Sequence, residues 1–112
     1  MSKHTEISDE LIASTVLALD LKTTAAQEFL RFALQNLVIF DNKQQDYGSE
    51  NISDFGTFGV VVRMNDKFRR LKTLFNKRRK RPVNESIEDS FRDISNYAII
   101  ALMLEKNLWP KE

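Results

Sequence analysis

The sequence predicts an all-α protein: a single-domain, four-helix bundle-like fold over residues 1–112, with an ordered glycine- and aromatic-rich loop between the second and third helices. Three observations lead there. All three glycines (Gly48, Gly56, Gly59) fall in one stretch and both prolines (Pro82, Pro110) lie near the end, which leaves long segments free of helix breakers. Within those segments apolar residues recur at three- and four-residue steps. A chain of 112 residues, 42% apolar and 29% charged, has room for one soluble domain with one core and little stability to spare.

The first helix starts after Ser8, an N-cap residue followed by Asp9 and Glu10 where the helix dipole favours anions, and runs through Leu11, Ile12, Val16 and Leu19. The second starts at Thr24, whose Thr24-x-x-Gln27 spacing reads as a capping box, carries Phe29, Leu30, Ala33, Leu34, Leu37, Val38 and Phe40, and ends near Gly48. Residues 47–59 hold turn formers together with Tyr47, Phe55 and Phe58, which is the pattern of an ordered loop rather than a linker. The third helix carries Val61, Met64, Phe68, Leu71 and Phe75 as a core stripe, with Arg63, Asp66, Lys67 and Arg70 on the other side. Asn84 is the expected N-cap of a fourth helix that ends near Asn107, ahead of Pro110. Residues 98–104 of that helix are apolar on every side, so they belong at the centre of the bundle or under another subunit.

Composition removes several kinds of chemistry. The chain has no cysteine, which excludes disulfides, thiolate zinc sites, iron–sulfur clusters and thiol nucleophiles. Its one histidine, His4, stands near the N-terminus, so serine–histidine triads and multi-histidine metal sites are excluded as well. Residues 1–10 lack the apolar stretch of about 7–15 residues that a signal peptide needs. The longest apolar run, residues 98–104, falls far short of the roughly 20 residues that span a bilayer. A soluble cytoplasmic protein with no membrane partner is expected, with any chemistry resting on carboxylates, Lys and Arg, Tyr or a metal ion.

Two charged constellations remain. Glu85, Asp89 and Asp93 stand four residues apart with Glu88 beside them, so carboxylates recur on successive turns and repel one another unless something neutralises them. A magnesium ion would do so, since it takes oxygen ligands and two or three carboxylates with waters suffice. Arg63, Lys67 and Arg70 would do so equally well as a salt-bridge seam between helices. Both readings stay open on spacing alone.

The second constellation is cationic. From Arg63 to Arg81 ten Lys and Arg face the single acid Asp66, although the whole chain, with 17 Lys+Arg and 16 Asp+Glu, has a net charge of +1. Such a segment attracts phosphate. Arg63, Lys67 and Arg70 stand about a turn apart and can converge on one ligand. Lys77, Arg78, Arg79, Lys80 and Arg81 read first as a solvated helix end, with nucleic-acid binding a minor alternative, since no zinc finger, RNA-recognition aromatic motif or basic zipper accompanies them. In the loop, Tyr47 offers a ring for stacking and Asn51 an amide for a base edge, or else both serve only as cap and core. Neither a Walker loop nor Gly-x-Gly-x-x-Gly occurs.

Four motifs in order carry a resemblance: Asp46-Tyr47-Gly48 with Asn51, Phe55-Gly56-Thr57-Phe58-Gly59, Arg63-Met64-Asn65-Asp66-Lys67 with Arg70-Leu71, and Glu85 through Ser90 with Asp93 through Ala98. Together they resemble the nucleotide modification-associated domain family of phages and bacteria, over about residues 40–104, leaving a helical segment at 1–39 outside it. The resemblance implies a small, mainly helical domain of nucleotide or modified-base metabolism, in the host cytoplasm where it is phage-encoded. More loosely, the chain is similar to the MazG-like all-α nucleoside triphosphate pyrophosphohydrolases, whose magnesium sites use Glu-Glu-x-x-Glu on one helix and Glu-x-x-Asp on another. Only the second half has a counterpart here, in Glu85, Glu88, Asp89 and Asp93.

The expected function is therefore nucleotide binding in nucleotide metabolism or signalling, with phosphates on Arg63, Lys67 and Arg70, Asp66 beside them, and the base at Tyr47 and Asn51. The first alternative is a magnesium-dependent pyrophosphohydrolase acting on ribo- or deoxyribonucleoside triphosphates, with the metal on Glu85, Glu88, Asp89 and Asp93. The second is a structural oligomer without ligand. A nucleotide or nucleotide-derived small molecule and further copies of the chain are the expected partners.

Overall fold

Ser8 opens the first helix as its sequence position predicts. Its backbone is extended (φ −68°, ψ 148°) and its Oγ accepts the Leu11 N–H at 3.1 Å. In this computed structural model, which describes residues 6–76 and 87–110, the helices are α1 (Asp9–Leu19), α2 (Thr24–Tyr47), α3 (Glu50–Ser53), α4 (Gly56–Asn76) and α5 (Ile87–Glu105). The described residues contain no strand, and none of their helices is long and apolar enough to cross a membrane. The chain separates into two compact units, Met1–Asp46 and Tyr47–Glu112.

In the first unit α1 ends on Asp20, which takes the left-handed conformation (φ 57°, ψ 45°) that short polar side chains tolerate. The Asp20 N–H donates to the Leu17 carbonyl at 3.2 Å and the Leu21 N–H to the Val16 carbonyl at 3.0 Å, so two otherwise orphaned carbonyls are satisfied. The cap of α2 is Thr23 rather than Thr24: its Oγ1 accepts the Ala26 N–H at 3.0 Å and its carbonyl accepts the Gln27 N–H. Adjacent threonines both satisfy the sequence pattern, and only the backbone geometry decides between them. Arg31 of α2 pairs with Asp9 of α1 at 3.5 Å, beside an open cleft of about 460 Å³ lined by Ile12, Ala13, Val16 and Leu17.

The second unit is built on the packing of α4 against α5, with α3 against the start of α4. Gly48 (φ +74°) ends α2 as expected. The loop that follows is ordered but shorter than the sequence suggests: α3 occupies one turn of it, and α4 begins at Gly56 (φ +64°) and takes in Phe58 and Gly59. A Cβ at Gly59 would collide with the Phe55 side chain, so the chain can turn into α4 there only without one.

The core of this unit holds Ile52, Val60, Leu71, Ile100 and Trp109. The expected α4 core stripe is corrected here. Leu71 is buried and Met64 half-buried, but Val61, Phe68 and Phe75 are exposed. The buried face is centred further round, on Val60, Lys67 and Leu71. Apolar residues occupy more than half the circumference of α4, so periodicity narrows the inner face without fixing it.

At the far end Asn107 (φ 60°) closes α5 in the manner of Asp20, with Leu108 N–H donating to the Met103 carbonyl at 2.8 Å. The chain is thereby turned back, and Trp109 Nε1 donates to the buried Ser49 carbonyl at 3.1 Å. The expected N-cap Asn84, Glu85 and the basic run of residues 77–81 lie outside the described residues.

Candidate functional site

Helical spacing brings Arg63, Asp66, Lys67 and Arg70 to one side of α4 on successive turns, and Asp89 and Asp93 to one side of α5. The two sides meet at Lys67, whose Nζ lies 3.0 Å from Asp93 Oδ2. The two side chains are only 22% and 19% exposed, so this pair sits in the α4–α5 packing rather than on open surface. Lys67 and Asp93 thus neutralise each other, and one of the four carboxylates is accounted for by a cation of the neighbouring helix.

A second carboxylate is accounted for within α5. Glu88 Oε2 accepts from Arg92 Nε at 3.0 Å and Nη2 at 2.9 Å, and Arg92 is buried. The acid stands four residues before the base, the order that suits an isolated helix. That spacing was legible, but its effect on the carboxylate group emerges only from the structure. At about 100° per residue, Glu88 stands well away from Asp93 around α5, whereas Asp89 is nearly in line with it. Among the described residues no three His, Cys, Asp or Glu come together as metal ligands. Glu85 lies outside those residues.

One turn before Lys67, Arg63 Nη2 donates to the main-chain carbonyl of Asn51 at 3.5 Å. Asn51 therefore reaches Arg63 through its backbone, from α3, and its exposed side-chain amide is not used in that contact. Arg70 and Asp66 are exposed on α4, and Tyr47 is 72% exposed at the end of α2. The structure joins Arg63 to Asn51 and Lys67 to Asp93, while Tyr47 stays out in solvent. Such an edge can hold an anion: guanidinium groups one turn either side of a lysine present charge-assisted donors to phosphate oxygens.

Ser90 belongs to the family-like motif, but nothing in the sequence marks it as buried. It is completely buried on the same side of α5 as Asp93, and its Oγ has no hydrogen-bond partner. A mid-helix serine reads as any other polar position, and only burial by α5's neighbours makes the hydroxyl conspicuous.

The model of the family described as "Nucleotide modification associated domain 1" matches residues 43–104, which covers Tyr47, Asn51, the α4 stripe and the carboxylates Glu85, Glu88, Asp89 and Asp93. No match is found among curated proteins or among solved structures. The matched stretch is more than half of the chain and bears the motif series that first suggested the resemblance, and the chain belongs to this nucleotide modification associated family.

Proposed function

We propose that the second unit binds a phosphorylated nucleotide along the α4–α5 edge. Arg63, Lys67 and Arg70 receive the phosphates, with Asp66 setting the limit of the cationic strip, while Tyr47 stacks on the base and the Asn51 amide meets its edge. The observation that carries this reading is the Lys67–Asp93 pair at 3.0 Å, because it sets the cationic turns of α4 against α5 in the part of the chain that the family match spans. A phosphate arriving there competes with Asp93 for the Lys67 ammonium, and the two flanking guanidinium groups favour the phosphate through their additional donors. The family's association with nucleotide modification makes a nucleotide the natural source of that phosphate.

Hydrolysis is the second reading, and Asp89 aligned with Asp93 on α5 is the observation in its favour. Magnesium on Glu85, Glu88, Asp89 and Asp93 would supply charge neutralisation and an activated water. The described members of that set do not fit it as they stand, since Glu88 is held by Arg92 and Asp93 by Lys67. Binding without turnover is therefore preferred to catalysis. A seam of salt bridges with no ligand is the remaining reading.

The test is incubation of the purified protein with ribo- and deoxyribonucleotides and cyclic dinucleotides, with and without magnesium, followed by ultrafiltration and chromatography of the retained and free fractions. Unchanged nucleotide retained on the protein is the expected result. Magnesium-dependent conversion of a triphosphate to its monophosphate would establish the hydrolase instead. Neither retention nor conversion would leave the charged edge with a structural role only.

A further inference from the structure

We infer that Trp109 is a positioning residue for Arg63: by pinning α3 it orients the guanidinium that receives phosphate, and the phosphate part of this inference rests on the binding reading above. α3 is too short to stand alone. Its single turn of four residues forms few backbone bonds against the cost of fixing its dihedrals. Its N-cap, Ser49, makes no side-chain cap bond to it, and it lies between Gly48 (φ +74°) and Gly56 (φ +64°), whose backbones have little conformational preference of their own. Contacts from other elements must keep it formed.

Two such contacts come from different parts of the second unit. The Ser49 carbonyl opens α3 by accepting the Ile52 and Ser53 N–H groups, both at 3.2 Å, and the Trp109 indole N–H reaches the same oxygen at 3.1 Å. Trp109 is only 7% exposed and Ser49 3%, so little water competes for this bond. Two residues further on, the Asn51 carbonyl accepts from Arg63 Nη2 at 3.5 Å. Trp109 is itself placed by the left-handed turn at Asn107, where the Leu108 N–H donates to the Met103 carbonyl at 2.8 Å. A continuous path of bonds thus runs from the end of α5 through Trp109, Ser49 and Asn51 to Arg63 on α4.

The two contacts on α3 differ in kind. The indole bond is short and buried, whereas the Arg63 bond is long and comes from a half-buried side chain. That bond uses one of the five N–H groups of the guanidinium, which leaves donors for phosphate oxygens while setting the direction of the group. A side chain oriented before its ligand arrives loses less rotamer entropy on binding. Ser49, Asn51 and Arg63 lie within the residues 43–104 that the family model matches, and Trp109 lies beyond them.

Trp109→Phe keeps a buried ring and removes the N–H. In the protein without nucleotide, the heteronuclear NOE of the Arg63 Nε–H should fall towards that of a free side chain, while that of Arg92, held by Glu88, should not change. The reciprocal measurement leaves the core intact: Arg63→Ala should shift the indole N–H resonance of Trp109, the one tryptophan of the chain, and Arg70→Ala should not. With nucleotide, Trp109→Phe should weaken retention about threefold or more, by less than about twofold once Arg63 is already alanine, and by the full factor in Arg70→Ala. Loss of affinity by the same factor in both alanine backgrounds is what a merely structural role gives, and it overturns the proposal. So does an Arg63 signal unmoved by Trp109→Phe, or an indole signal unmoved by Arg63→Ala. If the native chain retains no nucleotide, the binding reading fails, and the two resonances still decide whether Trp109 holds Arg63.

Discussion

Lys67 of α4 and Asp93 of α5 form an ion pair at 3.0 Å whose side chains are four-fifths buried, and it ties together the two helices on which the second unit is built. A pair so placed has lost most of its hydration. Its value lies less in the attraction itself than in the penalty for leaving either member alone. Asp93→Asn should therefore lower stability by about 2 kcal/mol, roughly 8–16 °C in Tm for a chain of this size. Replacing both members, Lys67→Met with Asp93→Leu, should recover most of that loss. Thermal unfolding followed by circular dichroism decides it, and an unshifted midpoint for Asp93→Asn would show that the pair does not hold the helices.

Trp109 joins the last residues of the described chain to the turn before α3, through an indole N–H given to the Ser49 carbonyl sixty positions earlier. Both residues are buried, so Trp109→Phe leaves that carbonyl without its donor and should cost about 1–2 kcal/mol. As the only tryptophan, it also reports on the second unit alone. Its emission should be blue-shifted in the native protein and move to the red in one step with denaturant, whereas circular dichroism follows the helices of both units. Non-coincident transitions by the two probes would show that the units unfold separately.

How far the sequence reveals this arrangement depends on the range of the interaction. The Ser8 cap and the Gly48 terminus follow from neighbours within a turn or two and are found where the sequence puts them, while the cap of α2 moves by one residue, from Thr24 to Thr23. The meeting of a cationic stripe with an acidic one was one of the two readings that spacing left open, and the Lys67–Asp93 pair is the part of it that the structure shows. Which side of α4 faces inward was not legible, since Val60 and Val61 or Leu71 and Phe75 are equally apolar and only the position of α5 separates them. The Trp109–Ser49 bond and the buried Ser90 depend on tertiary packing and leave no local trace. For the candidate site, Lys67 was foreseen as a ligand-binding cation, yet its bond to Asp93 belongs as much to the packing of the unit.

Ser90 offers a stabilising change. A buried hydroxyl without a partner has lost its water and gained nothing in return, and serine is the poorer helix former of the pair. Ser90→Ala should raise stability by up to about 1 kcal/mol, measured by denaturant midpoint at constant slope. A loss of stability instead would mean that the hydroxyl is satisfied in solution by a buried water.

The nucleotide-binding reading makes its sharpest demand on Arg63 and Arg70, which stand a turn to either side of Lys67. A charge-assisted hydrogen bond to phosphate is worth about 1.5–3 kcal/mol, so Arg63→Ala and Arg70→Ala should each weaken retention of a nucleotide about tenfold or more. Arg63→Lys should recover only part of the loss, because an ammonium keeps the charge but not the planar pair of donors. Lys72→Ala is the control: it removes the same charge from an exposed position on a different side of α4, and should change affinity little at physiological ionic strength. Equilibrium binding at about 0.05 and 0.2 M salt separates a local clamp from a general field. If all three alanine variants lose affinity equally, and only at low salt, the α4 cations act as a diffuse positive surface and not as a site.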